Sequence, residues 1–478
     1  MMFLRVAAVA AVLCVAGCDL APQYDPPSFL TPPQYKAGAN LLSGASAPEW
    51  WRAFRDRELD ELQDKLESSN PDLASAVARY DRSRAFLAVA ETGLYPMLDF
   101  QGSLSRNRQS DHRPLRGKDL PDHYGSNQAF GVVSYEFDIW GRIRDRIAIA
   151  RALSQADQDL LDQTRLVLRA ELARDYVLLR GFDQDTQLLT RTLKLYRDAL
   201  TLTRSRVEGH IAPPIDTERA IVQVANVEAQ IAAVAQSRAK TENAIAALIG
   251  EPASGFKIAV RQAPLASPKL PRSAPSDLVE RRPDVAASER GLYAASEAIG
   301  VARSAFFPRF SILLTGGTQD THIRLTDLAN SAWSVGPEVS MPIFDAGLRM
   351  AELDAAHADY RDAEGKYRST VLASFQEVED SLAAMYWLAR ELRALSTSAT
   401  AAGNASTMAL SLYRDGAASF LDVVTAQDAA LSAERAEISA RTRVLEANVQ
   451  LMLALGGGWR PQADPTRQAS AMETSNGK

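Results

Sequence analysis

The residues that could do chemistry begin with a cysteine near the start of the chain. Cys18 follows two small residues at 16–17, and before them stand Arg5 and the apolar stretch 6–15. This order is typical of a secretory signal peptide that ends in a lipobox. The sequence predicts removal of residues 1–17 and acylation of Cys18, palmitate included, which gives a stable anchor in membrane lipid. A plain signal peptide with an unrelated cysteine is the alternative.

A second group of candidate residues lies in two turns that contain glycine. Asp216 follows two prolines in the first turn, and Tyr413, Leu421 and Asp422 flank or belong to the second. A bland interpretation is helix capping, because Ser419 and Asp422 have the spacing of a capping box and Asp216 stands at a predicted helix start. Helix capping does not exclude a second function for these residues.

The remaining candidates for chemistry form no recognisable site. Glu364-Gly365-Lys366 lacks the upstream glycine of a phosphate loop, and the glycines at 456–458 follow a predicted helix, where they indicate its end. The histidines are scattered without metal-ligand spacing, at His112, His123, His210, His322 and His357. We therefore expect no enzyme activity, no catalytic residue, no metal site and no cofactor. The net charge of -6 is spread along the chain, which argues against a nucleic-acid partner.

The elements that position these residues are marked by proline. The chain has no proline between Pro121 and Pro213, nor between Pro342 and Pro461. Because proline breaks helices, these two alanine-rich tracts can each hold one very long helix. At 1.5 Å per residue, such a helix reaches roughly 100 Å.

The second half of the chain repeats the first. The segment 70–73 pairs with 282–285, and 94–96 pairs with 306–308, both at an offset of 212 residues. Further along, 137–142 pairs with 344–349 and the turn 209–216 pairs with 416–422, at an offset of about 207. Each copy reads as a helix, a hairpin, a very long helix, a tight turn and a returning helix.

Each predicted hairpin alternates between apolar and polar residues. Leu98, Phe100 and Leu104 oppose acids and serines in the first, and Phe310 and Ile312 begin a similar pattern in the second. A sheet on a soluble core is the common explanation, but no short helical layer is available to cover these strands. Four strands cannot close a barrel and an open edge is not tolerated in lipid, so three copies with twelve strands are expected.

The repeat predicts the domain organisation. We expect a signal peptide at 1–17 and a lipidated N-terminal, equatorial segment at 18–69. The first repeat spans 70–250, with a β-hairpin at about 96–140, a long helix at 141–208 and a tip turn at 209–216. An equatorial linker follows at 251–276. The second repeat spans 277–458, with a β-hairpin at about 308–344, a long helix at 346–414 and a tip turn at 415–422, and a tail covers 459–478.

Six motifs in the same order resemble the outer-membrane efflux proteins of the NodT and OprM type, which are relatives of TolC. The resemblance runs from Cys18 to about Gly458 and is carried by Ala21-Pro22-Gln23-Tyr24 with Pro26-Pro27, Trp50-Trp51-Arg52-Ala53-Phe54 with Asp56 and Leu59, Asn70-Pro71-Asp72-Leu73, Ser134-Tyr135-Glu136 with Asp138 and Trp140-Gly141-Arg142, Glu280-Arg281-Arg282-Pro283-Asp284-Val285, and Pro342-Ile343-Phe344-Asp345-Ala346-Gly347.

The resemblance implies a mixed α/β membrane protein of the TolC-like fold. In that fold a homotrimer forms a twelve-stranded β-barrel, a periplasmic α-barrel of twelve helices and an equatorial domain. It also implies the function of an outer-membrane exit duct in a tripartite efflux system. Its partners would be a periplasmic adaptor, an inner-membrane RND-type pump and outer-membrane lipid. Multidrug export is the cargo that the family favours, with metals and metabolites left open.

The resemblance also gives the turns a function. Asp422 matches a pore-facing aspartate of the family, Leu421 an apolar constriction, and Tyr413 a tyrosine that helps to hold the closed state. Asp216 is the counterpart in the first turn. The pattern departs from TolC at two positions. Thr425 stands where TolC has an acidic residue, and Ala418 stands where it has an arginine. A gate here should therefore be less acidic than that of TolC.

A periplasmic adaptor or coiled-coil scaffold lipoprotein is the rival interpretation from another class. It would share the lipobox and the long helices but would not need two amphipathic hairpins. Asp19 gives it some support, because aspartate after the lipid cysteine retains lipoproteins in the inner membrane of enteric bacteria. A closed barrel needs the outer membrane, so the sequence still favours that location.

Overall fold

The computed structural model describes residues 20–27, 36, 49–110, 112, 122–261, 263–266, 268 and 282–460. The helices are α1 (Arg57–Ser69), α2 (Pro71–Glu91), α3 (Arg142–Glu208), α4 (Ile215–Leu248), α5 (Pro283–Ser304), α6 (Leu348–Arg414) and α7 (Phe420–Ala454). The strands are β1 (Met97–Arg108), β2 (His123–Phe137), β3 (Arg309–Asp320) and β4 (Ser331–Ser340). No described helix has a stretch long and apolar enough to cross a membrane.

The chain divides into two compact units. One comprises residues 1–27, 80–157 and 288–367, and the other comprises 28–79, 158–287 and 368–478. All four strands belong to the first unit. The turns between α3 and α4 and between α6 and α7 belong to the second.

The two repeats have elements of matching length. The strands β1 and β3 each have 12 residues, and the helices α3 and α6 each have 67. The offset is therefore 212 at the first strand and 206 along the long helices. The sequence expectation of two very long helices agrees with these bounds, and only the offset along the helices is shifted by one residue.

The same contact closes each repeat in the second unit. Asn70 caps α2 by accepting from the Leu73 amide at 2.8 Å, and its Nδ2 donates to the Leu248 carbonyl at 2.7 Å. In the second repeat, the Arg282 guanidinium donates to the Ala454 carbonyl at 3.1 Å. Because the last carbonyls of a helix have no partner within it, these side chains satisfy the ends of α4 and α7.

The sheet is a four-stranded antiparallel meander in the order β1-β2-β3-β4. Its register places Leu98 opposite Val133, Val133 opposite Leu314, and Leu314 opposite Val335. Residues directly opposite each other share a face, so the apolar positions of all four strands form one continuous face. The other face carries mainly polar residues, among them Asp99, Ser134, Glu136, Ser311, Thr315, Ser334 and Glu338.

Both long helices end in the same turn, a Schellman motif. At the end of α3, the Ile211 amide donates to the Arg206 carbonyl at 2.8 Å and the His210 amide to Val207 at 3.0 Å. At the end of α6, the corresponding bonds start from the amides of Ala417 and Gly416. This motif needs a left-handed residue after the helix. His210 with φ 60° and Gly416 with φ 78° fill that position.

The geometry corrects the pairing of the two turns. Sequence similarity aligned Gly209 with Gly416, whereas the hydrogen bonds make His210 the counterpart of Gly416. The first turn therefore holds a residue with a Cβ atom in the left-handed region, which is sterically unfavourable. Glycine adopts this region without that cost.

We expect His210→Gly to stabilise the protein by about 1 kcal/mol, because it removes the left-handed strain. The converse change, Gly416→Ala, should destabilise it by about the same amount. An added Cβ at Gly416 would meet no atom closer than 3.8 Å, so the loss would report backbone strain alone. Thermal unfolding of the detergent-solubilised protein measures both, and a lower midpoint for His210→Gly would contradict the assignment.

Candidate functional site

The two turns of the second unit are held together by a small apolar core. Ala199 of α3 and Ala220 of α4 pack with Tyr413, Phe420 and Val423 of the second helical hairpin, and all five are buried. The partly buried neighbours Leu200, Leu202, Leu410 and Val424 extend this core. The position of one helical hairpin at the turns therefore depends on its packing against the other.

Tyr413 lies at the centre of this contact and is 4% exposed. Its ring faces the Arg206 guanidinium, with Cζ 4.6 Å from the ring centroid, and the Phe420 ring lies 5.4 Å away. Arg206 also donates through Nη1 to the Tyr413 carbonyl. Such a stacked and hydrogen-bonded arginine joins the last turns of α3 and α6 through both cation–π attraction and a charge-assisted bond.

The Tyr413 hydroxyl is buried and has no hydrogen-bond partner among the described residues. A buried polar group without a partner loses its hydration and gains nothing in return. The contribution of Tyr413 to the single chain therefore comes from its ring. Only a group outside the described residues can accept a hydrogen bond from this hydroxyl.

Leu421 and Asp422 lie beside this core at the exposed start of α7. Leu421 is 48% exposed. The Asp422 carboxylate accepts from the Ser419 amide at 3.0 Å and from its hydroxyl at 2.7 Å, while the Asp422 amide donates back to Ser419 Oγ at 3.3 Å. The capping-box interpretation is therefore confirmed. The bonds from the Ser419 hydroxyl and backbone amide hold the pKa of Asp422 below its ordinary value, so it is ionised at neutral pH.

Asp216 differs from Asp422 in both exposure and partner. It is 6% exposed, and its carboxylate lies 3.3 Å from Arg219 Nη1, one turn along α4. The interpretation of Asp216 as a helix cap is therefore wrong, because its carboxylate forms an ion pair instead of bonding a backbone amide. Its charge still suits the first turn of a helix.

Sequence reasoning missed Arg206 and Phe420, which complete the site. A signal for Arg206 existed, because a basic residue in the last turn of a helix is favoured by the helix dipole. That signal does not indicate that Arg206 contacts Tyr413 of the second repeat. The contact depends on how two helical hairpins pack, which no local pattern encodes.

The second candidate surface is the apolar face of the sheet in the first unit. Phe100 is 77% exposed, Trp333 79% and Val335 56%. Within the described chain, β1 and β4 each pair with a strand on one side only. A large exposed apolar face marks a surface that contacts another protein or lipid. Unpaired strand edges are open to pairing with another chain.

Cys18 lies outside the described residues, but the segment just after it is described. The Leu20 carbonyl accepts from Arg303 Nη1 at 3.1 Å, and the Tyr24 hydroxyl donates to Glu289 at 3.0 Å. A Cβ atom added at Gly300 would lie 2.8 Å from the Cα atom of Ala21, so the two backbones are in close contact. The described segment that begins at Leu20 is therefore fastened along α5.

Comparisons with known proteins define the class to which this geometry belongs. The sequence profile of the family described as outer membrane efflux protein matches residues 62–251 and 274–457. The chain belongs to this family. Its architecture is that of the TolC-like channels, which confirms the fold expected from the sequence. The protein is an outer-membrane efflux channel.

Three similar proteins illustrate the relationship. The probable efflux pump outer membrane protein TtgC of Pseudomonas putida is 30% identical over 473 residues, which cover 97% of each chain. The outer membrane protein OprJ of Pseudomonas aeruginosa is 29% identical and covers 95% of this chain and 96% of its own. The open state of the Neisseria gonorrhoeae MtrE outer membrane channel superposes with a TM-score of 0.81 at 26% identity, over 94% of this chain and 100% of MtrE.

The ring and the hydroxyl of Tyr413 should contribute very differently to stability. We expect Tyr413→Phe to change the free energy of unfolding by less than about 0.5 kcal/mol, since the hydroxyl has no partner to lose. Tyr413→Ala should cost about 3 kcal/mol, because it leaves a cavity beside Phe420 and removes the surface on which Arg206 stacks. Denaturant unfolding in detergent measures both. A large loss for Tyr413→Phe would show that the hydroxyl is bonded.

Proposed function

We propose that the protein is the lipid-anchored, homotrimeric exit duct of a tripartite efflux system. It would passively conduct solutes that an inner-membrane RND-type pump delivers through a periplasmic adaptor. The observation that carries this proposal is the sheet, with one continuous exposed apolar face and two strands that are paired on one side only. Energy would enter at the pump, so the duct needs no catalytic residue of its own.

The sheet supports a trimer for a physical reason. Backbone groups at an open edge cannot find partners in the hydrocarbon region, so strands cross membranes only in closed barrels. If β4 of one chain pairs with β1 of the next, three chains close a barrel of about twelve strands. The apolar face would then meet lipid and the polar face would line a water-filled passage.

We propose a separate structural role for each part of the two repeats. The hairpin ranges 96–140 and 308–344 would form the barrel, and the long helices with their return helices would form the periplasmic tunnel. The segments 18–69, 251–276 and 459–478 would form the equatorial domain. The equal lengths of α3 and α6 support this division, because helices of one length can end at one level of a tunnel.

The lipid anchor is proposed at Cys18. The signal-like leader supports it, and so does the contact of the following segment with α5, which would hold an acylated cysteine close to a fixed point of the fold. A closed barrel inserted in the outer membrane would outweigh the retention that Asp19 favours. The partner of this anchor is outer-membrane lipid.

The cargo is proposed by analogy with named relatives. Proteins at 30% identity from Pseudomonas putida are named for antibiotic and toluene efflux. A nodulation protein of Rhizobium leguminosarum at 28% identity is named for a different process. We propose small organic molecules, including drugs and solvents, as the exported class.

We propose that the turns act as a gate, in which Tyr413, Leu421, Asp422 and Asp216 take part. In a trimer, three copies of the ionised Asp422 and the exposed Leu421 would surround a narrow opening. Closure would depend on the packing of Tyr413 and Phe420 against α3 and α4, which sets the position of the second helical hairpin. Asp216 would contribute through its ion pair with Arg219, as a support for the first turn.

Cell fractionation tests the duct against the adaptor alternative. We expect the protein in outer-membrane fractions as a detergent-soluble trimer that dissociates on heating, and labelled by radioactive palmitate. Cys18→Ser is the matched variant and should lose the label. Recovery in the inner membrane as a species without heat-modifiable mobility would contradict the duct. A retained label in Cys18→Ser would contradict only the anchor.

Conductance of the isolated trimer tests the gate. We expect Asp422→Ala combined with Tyr413→Phe to raise conductance in planar bilayers, because the change removes the carboxylate ring and the free hydroxyl. Tyr413→Phe leaves the packed ring in place, so a rise would not reflect unfolding. Asp415→Ala changes another exposed acid of the same turn and should have no effect. Unchanged conductance in the double variant would remove the gate assignment.

A further inference from the structure

The junction between β2 and α3 gathers positive charge on one side of the sheet. Glu136, near the end of β2, lies on the polar face opposite Ser311. Arg142 begins α3 and binds Glu136 through two bonds, Nε to Oε1 at 3.0 Å and Nη2 to Oε2 at 2.6 Å. Because Glu136 is on the polar face, this pair fixes the Arg142 guanidinium on that side.

Two further arginines stand next to this pair. Arg146 follows Arg142 by one helical turn and therefore lies on the same face of α3. Arg309 begins β3 two residues before Ser311, so it points to the same polar face. In the part of the chain that the structure describes, neither Arg146 nor Arg309 has a carboxylate within ion-pair distance.

The charges of this cluster do not balance. Arg142, Arg146 and Arg309 contribute three positive charges, and Glu136 offsets one. A further acid on this face, Glu338, lies opposite Ser311 on β4 and forms no ion pair within the described chain. Asp138, at the same junction, is bonded to Ile143 and Arg144. Desolvation by surrounding atoms, with the charges of Arg142 and Arg309, lowers the pKa of Arg146 below its ordinary value. The protein thus carries a repulsion that an anion would relieve.

The internal repeat has other residue types at the positions that correspond to this cluster. Along the long helices the offset of 206 makes Leu348 the counterpart of Arg142 and Glu352 the counterpart of Arg146. At the strands the offset of 212 makes Met97 the counterpart of Arg309. The positions that correspond to the three arginines therefore hold an aliphatic residue, an acid and a methionine. The described chain does not bring these three together, because Met97 lies on β1, which pairs with β2 and not with β4.

We propose that Arg142, Arg146 and Arg309 form an anion-binding site on the polar face of the sheet, which takes a phosphate or carboxylate group. Guanidinium groups suit such anions because their planar donors match two oxygens at once. The strands β2 and β3 are the inner strands of the sheet, so one chain supplies the complete site. If the polar face lines the duct, as proposed above, the site would meet anionic solutes in transit.

Calorimetric titration with inorganic pyrophosphate tests the site on the purified, detergent-solubilised chain at low ionic strength. We expect binding by the unmodified protein, and at least about tenfold weaker binding by Arg146→Glu and by Arg309→Met. Both substitutions copy the side chains that the chain itself uses at Glu352 and Met97, so the variants should fold. Arg146→Lys keeps the charge and should retain most of the affinity.

The matched control is Arg151→Gln, which removes an exposed charge from the same helix, where Arg151 faces Glu91 at 3.7 Å. It should leave binding unchanged. Absence of binding by the unmodified protein, or equal weakening in Arg151→Gln, would overturn the proposal. The assay needs no conduction, so a failure of the duct would leave its result standing.

A second arm identifies the source of the anion. The titration is repeated in nanodiscs of phosphatidylcholine with and without phosphatidylglycerol. An affinity for pyrophosphate that does not depend on phosphatidylglycerol would assign the site to soluble anions. Competition by phosphatidylglycerol that disappears in Arg146→Glu would assign it to lipid headgroups. Competition that persists in Arg146→Glu would mean that the lipid acts elsewhere and would contradict the headgroup source.

Discussion

The constraint on which the first unit depends is that an amphipathic sheet must have both its apolar face covered and its edges paired. Among the described residues of one chain neither condition is met: Phe100 and Trp333 are more than three-quarters exposed, and β1 and β4 have one neighbour each. The alternation of residue types nevertheless keeps one face apolar across all four strands. The proposed trimer in the outer membrane would meet both conditions, since lipid would cover the apolar face and neighbouring copies would pair the edges.

The second unit meets a different constraint, because two helices of 67 residues each must be held in a fixed relation at their far ends. Their order at the turns depends on a core of alanine, tyrosine and phenylalanine, with Arg206 bridging to Tyr413. Such a contact is both stable and local. It fixes how two helical hairpins meet while leaving Leu421 and Asp422 on the surface, where a change in packing would move them.

Much of this could be predicted from the sequence, because the determining signals are local. Proline-free tracts gave the long helices, period-two alternation gave the sheet faces, and Ser419 with Asp422 gave a capping box. Contacts between distant elements could not be predicted. The burial of Asp216 depends on how α4 packs against other elements, although its ion pair with Arg219 is local. The left-handed conformation falls on His210 although a glycine precedes it. A glycine next to a helix end indicates a turn but does not fix its register.

The two repeats satisfy the last carbonyl of their returning helix with different residues. The Asn70 side chain donates to the carbonyl of Leu248, and Arg282 donates to that of Ala454. Arg282 is 5% exposed and also binds Asp284 and Glu377, so its burial is matched by two carboxylates. At the junction of β2 and α3, Arg142 has such a match in Glu136, but Arg146 and Arg309 have no ion pair within the described chain. A buried charge with partners serves the fold. We attribute the adjacent charges of Arg146 and Arg309, whose counterparts in the repeat are Glu352 and Met97, to a cause outside the fold.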